Sequence, residues 1–134
     1  MSHRMRRGAA SVELALCLPL FVLVVFGAVE TCSLIHLKQT LKTASYEAAR
    51  VAAKGSSFKQ TAIDRATQIV SSRGITLESV TFEPSDLTTV AAGQYITATV
   101  SVDPSGQGSA LMLPAATLGR ASVSAKTTMV KEKD

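Results

Sequence analysis

The sequence predicts an α+β fold: a long N-terminal helix that crosses a membrane and continues outside it, a second short helix, and a small three-stranded antiparallel sheet packed on the helices. Three observations carry this. An uninterrupted apolar run covers Leu14–Val29. Beyond it, apolar residues recur at spacings of three and four as far as Val51, and again from Phe58 to Val70. After Gly74 the period changes to two. With 134 residues, the chain holds one small domain once a membrane segment is subtracted. Its apolar content is 46%, tryptophan is absent, and alanine, valine and leucine prevail, which suits helix packing better than a ligand cleft.

The first element starts from a polar, basic stretch, Met1–Gly8. Arg4, Arg6 and Arg7 precede the apolar run and hold the N-terminus in the cytoplasm by the positive-inside rule. Lys38, Lys42 and Arg50 follow the run and weaken this bias, but they begin further from the apolar core, so the orientation expected is N-terminus in, C-terminus out. As a helix, Leu14–Val29 is about 24 Å long against roughly 30 Å of hydrocarbon. Ala9–Val12 and Thr31–Leu37 extend it, and the segment spans when Glu13 and Glu30 sit near the two interfaces.

A disposable signal peptide would need small residues just after the apolar core. Ala28-Val29-Glu30 is a poor cleavage site and Val29-Glu30-Thr31-Cys32 an equally poor lipoprotein site, so the run is read as a retained anchor. Glu13 is its most informative residue, because an ionised carboxylate at the edge of a membrane segment is costly unless it is paired or reaches the interface. Pro19 removes one backbone hydrogen bond and kinks or loosens the helix, either as a tolerated kink or as local flexibility for packing. Cys17 and Cys32 on one helix lie roughly 22 Å apart, beyond disulfide reach. They read as small apolar fillers, with an intersubunit bridge through Cys32 as the alternative.

Outside the membrane Leu34, Leu37, Leu41, Ala44, Ala48 and Val51 form one seam, with Lys38, Gln39, Lys42 and Glu47 off it. Ala48-Ala49 and Ala52-Ala53 keep the end narrow, and Gly55 is a C′ stop for a helix from about Ala9 to Lys54. Ser57-Phe58-Lys59-Gln60 fits a capping box opening the second helix. Phe58, Ala62, Ile63, Ala66, Ile69 and Val70 form its inner face, Asp64, Arg65 and Gln68 its wet face, and Gly74 ends it.

Three strands follow. Ile75–Leu77 and Val80–Phe82 alternate with a slip near Glu78-Ser79, the mark of a bulge. In Tyr95–Asp103, Ile96, Ala98, Val100 and Val102 share one face. In Ala121–Val130, Ala121, Val123, Ala125 and Met129 do so. Pro84–Gly93 and Pro104–Gly119 are connections, the second carrying an apolar patch at Leu111-Met112-Leu113-Pro114, and Lys131–Asp134 reads as a solvated tail.

Catalytic patterns are missing from the sequence. His3 and His36 are too far apart in sequence to share a metal site, and His36 reads as an interfacial polar residue. There is no phosphate loop after a strand, no paired cysteine–histidine spacing and no nucleophile elbow. Glu78, Glu83, Asp86 and Asp103 fall at strand edges and turns, where solvated charge is the default. No cofactor or metal is expected, and the chain reads as the substrate of an enzyme rather than as one.

The order of basic leader, Gly8, four residues, Glu13 and apolar run resembles the processing site of type IV pilin-like proteins. More narrowly, Arg6-Arg7-Gly8-Ala9-Ala10-Ser11-Val12-Glu13-Leu14-Ala15-Leu16, then Leu18-Pro19-Leu20-Phe21, is similar to the opening of TadE-like proteins, minor pseudopilins of the tight-adherence (Tad/Flp) pilus system. So is Ala44-Ser45-Tyr46-Glu47-Ala48-Ala49-Arg50-Val51-Ala52-Ala53. The resemblance extends roughly to Gly55. Beyond that point the chain is similar only in outline.

Major pilins of that system carry tyrosine after the glutamate; here Leu14 follows Glu13, which favours a minor pseudopilin. The resemblance implies a pilin-like architecture: a cytoplasmic leader over residues 1–8, a transmembrane helix over 9–37 and an extracytoplasmic α+β domain over 38–134. It implies cleavage by a prepilin peptidase between Gly8 and Ala9, and a registry role for Glu13 in assembly. It also implies residence in the bacterial inner membrane or the pilus itself. The implied partners are the peptidase, other pilins and pseudopilins, inner-membrane pilus assembly proteins and the lipid bilayer.

Nucleic acid is not among them. Arg4, Arg6 and Arg7 leave with the leader, so the net charge falls from +4 to +1, and the remaining basic residues form no stripe with interleaved aromatics. Two other readings stand against the pseudopilin. One is a single-pass membrane-anchored extracytoplasmic binding domain without processing. The other is a secreted or lipidated domain whose apolar run is a signal.

Overall fold

The computed structural model describes residues 3–55, 59–103 and 122–133. Helix α1 runs unbroken over His3–Ala53. It begins earlier than the apolar pattern implies, because arginine, methionine and alanine are all good helix formers and one glycine costs only about 1 kcal/mol. It continues through Pro19 and Gly27, and the first buried side chain among the described ones is Leu37. From there the expected seam is buried at Leu37, Leu41, Ala44 and Ala48, with Leu34 and Val51 half-buried. The small side chains of Ala48, Ala49 and Ala52 are fully covered.

Helix α2, Lys59–Ser71, lies on α1. Ala62, Ala66 and Val70 recur every four residues and are buried, flanked by the half-buried Ile63 and Ile69. Asp64, Arg65 and Gln68 are exposed, as the pattern requires. The helix ends in a Schellman motif. The Ile75 N–H reaches the Val70 carbonyl at 3.3 Å and the Gly74 N–H reaches Ser71 at 2.9 Å. Gly74 occupies the left-handed region at φ 69°. Ser57 and Phe58 of the expected capping box lie outside the described residues.

The sheet has the order β1-β2-β3, with β1 Leu77–Glu83, β2 Tyr95–Val102 and β3 Val123–Val130, all antiparallel. The register of β1 on β2 shifts between Leu77 and Ser79, where the alternation slips in the sequence. Central β2 points Ile96, Ala98, Val100 and Val102 into the core, all fully buried. Two edge strands complete that face, with Val80 and Phe82 from β1 and Val123, Ala125 and Met129 from β3. Ala121 and the patch at Leu111–Pro114 lie outside the described residues.

Three details differ from expectation. Leu87 and Val90, from the connection between β1 and β2, are buried with the core. Glu47 is half-buried and stands 3.8 Å from Arg50, one helical turn on. Lys131 is no part of a solvated tail: it is buried, and its Nζ donates to the Val90 carbonyl at 2.8 Å. Its backbone N–H donates to Gln94 at 2.7 Å, and the next N–H, of Glu132, takes the last helical carbonyl of α1, Ala53, at 2.9 Å. A lysine at this site finds a fixed acceptor and buries its methylene stem.

Two contacts orient the sheet on α1. Ser45 Oγ and Thr127 Oγ1 are 2.7 Å apart, and the bond from Glu132 to Ala53 lies further along both elements. Strand β3 therefore runs in the same direction as α1. Its first residue, Val123, and the register partners Val102 and Leu77 lie at the end of the domain nearest the apolar half of the helix.

Candidate functional site

The leader, cleavage, registry and kink residues expected from the sequence all fall on α1: Arg4, Arg6 and Arg7 before Gly8, then Ala9, Glu13 and Pro19. The site is a line along one helix rather than a pocket. Gly8 has open space around it, with no atom within 4 Å of where a Cβ would stand. Ala9 and Glu13 are four residues apart, so they share one face of the helix.

Every side chain from residue 10 to residue 28 is exposed. Leu16 and Leu23 reach 70% exposure, and Phe21 68%. Contiguous apolar surface on this scale marks a membrane or protein contact. The segment lies on a helix long and apolar enough to cross a membrane. Toward its C-terminal end two hydroxyls bond back to the helix: Thr31 Oγ1 donates to the Gly27 carbonyl at 2.8 Å, and Ser33 Oγ donates to the Val29 carbonyl at 3.0 Å. Such back-bonding lets hydroxyls enter an apolar layer without an unmet donor. Cys17 and Cys32 are both free and exposed.

One partnership had no sequence signal. Arg73, just past α2, donates from Nη1 to His36 Nε2 at 2.7 Å. A guanidinium can only donate, so His36 Nε2 is the acceptor in this contact. The partners are 37 positions apart, and neither lies in a motif.

The carboxylates of the sheet and its connections are turn and edge groups. Glu83 pairs with Lys126 across 3.5 Å on the exposed face of the sheet. Asp86 accepts from the Thr88 hydroxyl at 2.6 Å and the Thr88 N–H at 2.9 Å, and these two bonds, the hydroxyl first, hold its carboxyl below the usual range. Among the described residues no three His, Cys, Asp or Glu side chains gather as metal ligands.

A single exposed apolar helix ending in a small α+β domain has the build of a single-pass membrane anchor. Residues 8–50 match the family model of the TadE-like proteins, the family that the opening resembles. The matched stretch opens at Gly8, takes in Glu13 and Pro19, and closes at Arg50 inside the buried part of α1. No curated protein and no solved structure matches the chain.

Proposed function

We propose that the protein is a minor pseudopilin, cut by a prepilin peptidase between Gly8 and Ala9 and acting in assembly of a Tad/Flp-type pilus used for surface adherence. The observation that carries this reading is the coincidence, within the TadE-like match, of Gly8, Glu13 and a helix surface exposed from residue 10 to residue 28. Residues 1–8 form the cytoplasmic leader, with Arg4, Arg6 and Arg7 holding it on that side of the inner membrane. Residues 9–37 span the bilayer, and residues 38–134 form the extracytoplasmic domain. The protein acts by assembling, not by catalysis.

Cleavage would free an amine at Ala9, one helical turn from the Glu13 carboxylate. Each charge alone is costly inside an apolar bundle, and together they neutralise one another, within a subunit or between neighbours. Glu13 then sets the axial register of a subunit among other pilins and pseudopilins, while the apolar residues around Pro19 supply packing surface and the proline local bend. The test is Glu13→Gln in cells that make the pilus. Cleavage is expected to persist while assembly falls at least tenfold. Normal pilus yield from that variant would remove the registry role.

A further inference from the structure

We propose that Arg73, held against the long helix by His36, binds the phosphates of lipid headgroups and seats the domain directly on the outer surface of the bilayer. The inference rests on the membrane-anchored reading of α1.

Its first support is height. With Glu13 at the inner interface, about 30 Å of hydrocarbon takes about twenty helical residues and ends near Ser33. His36 lies about 5 Å further out. The headgroup layer of one leaflet is about 5–7 Å thick. His36 and the Arg73 bonded to it therefore sit at the level of the phosphates. The sheet reaches this level too, through the ends of its strands at Leu77, Val102 and Val123. The domain has no stalk.

The second support is chemistry. Arg73 is exposed, and its guanidinium carries five N–H donors, of which the imidazole takes one at 2.7 Å. The remaining fork suits a phosphate. Lys38, two residues beyond His36, is exposed on the same helix. Glu78 and Asp103 stand on the sheet at this end, so the contact is local to the corner between α2 and β1. The bond from Arg73 to His36 fixes the guanidinium in place and removes part of the entropy that a long side chain loses on binding.

The test uses the full chain in vesicles of phosphatidylcholine and phosphatidylglycerol, with Cys17→Ala and Cys32→Ser. A fluorophore is attached through Ser72→Cys beside Arg73 or, at the opposite end of the domain, through Ser85→Cys. A headgroup spin-labelled lipid is the quencher. Strong quenching at position 72 and little at position 85 is expected. Arg73→Gln should lower the ratio of docked to undocked domain by about fivefold, the effect of one basic residue at an anionic surface, with Arg73→Lys retaining most of it. Equal quenching at the two positions, or no effect of Arg73→Gln, overturns the proposal. Flotation of the same vesicles reads the anchor separately. A chain that floats but shows no quenching refutes only the docking, whereas a chain that does not float refutes the anchor and the docking with it.

Discussion

Ser45 is fully buried on α1, and its hydroxyl meets Thr127, a polar residue on the otherwise apolar face of β3. The Ser45 hydroxyl also donates to the Lys42 carbonyl at 3.0 Å, so between the two hydroxyls Thr127 is the donor. Ser45→Ala removes the acceptor of Thr127 and should cost about 1–3 kcal/mol, Thr127→Val leaves Ser45 its bond to Lys42 and should cost about 0.5–1.5 kcal/mol, and the double variant should cost less than the sum. Urea unfolding of the full chain in detergent measures this; strictly additive losses would show that the two side chains do not interact. Asp86 offers a pH-dependent counterpart. Its carboxyl is held below the ordinary range, so the stability it lends is present above about pH 4 and fades as the pH falls through its lower folded value. Asp86 is fully solvent-facing, so the effect is small. Asp86→Asn should flatten the acid limb of the unfolding midpoint against pH, and an unchanged limb would assign acid sensitivity to other carboxylates.

Among the elements, α2 depends on how it stops. Gly74 sits at φ 69° with nothing within 4 Å of where a Cβ would stand, so the cost of Gly74→Ala is purely conformational. About 1–2 kcal/mol of destabilisation is expected, measurable as a lowered urea midpoint, and no loss would contradict the Schellman closure. The stop was legible because glycine at the end of an apolar period has one common use. The slip in β1 at Glu78-Ser79 was legible for a similar reason: a period of two cannot change phase without an extra residue. Lys131, Leu87 and Val90 were not legible. Leu87 and Val90 lie in an irregular connection with no period to reveal a buried face. Lys131 follows a strand at a charged chain end, and only the Val90 carbonyl, supplied by that connection, makes its burial tolerable. The contact between His36 and Arg73 is likewise a product of tertiary placement alone.

At the scale of the whole molecule, one helix serves two solvents. Over residues 10–28 its side chains face outward on every side. From Leu37 to Ala53 one stripe of the same helix forms the spine of a core shared with α2 and the sheet. The fold class followed from the change of pattern along this helix and at Gly74, since each solvent imposes its own arrangement of apolar residues. The role proposed for the N-terminal residues rests on chemistry that the folded domain does not contain. Gly8 and Glu13 are exposed on α1, far from the core, and the use proposed for them depends on an enzyme and on neighbouring subunits. The central claim is therefore tested most directly by the intact mass and N-terminal peptide of the membrane-extracted protein, with and without co-expressed prepilin peptidase. A peptidase-dependent start at Ala9 is the result expected. A chain that keeps Met1–Gly8 under both conditions would contradict the account and leave a membrane-anchored domain that is not processed.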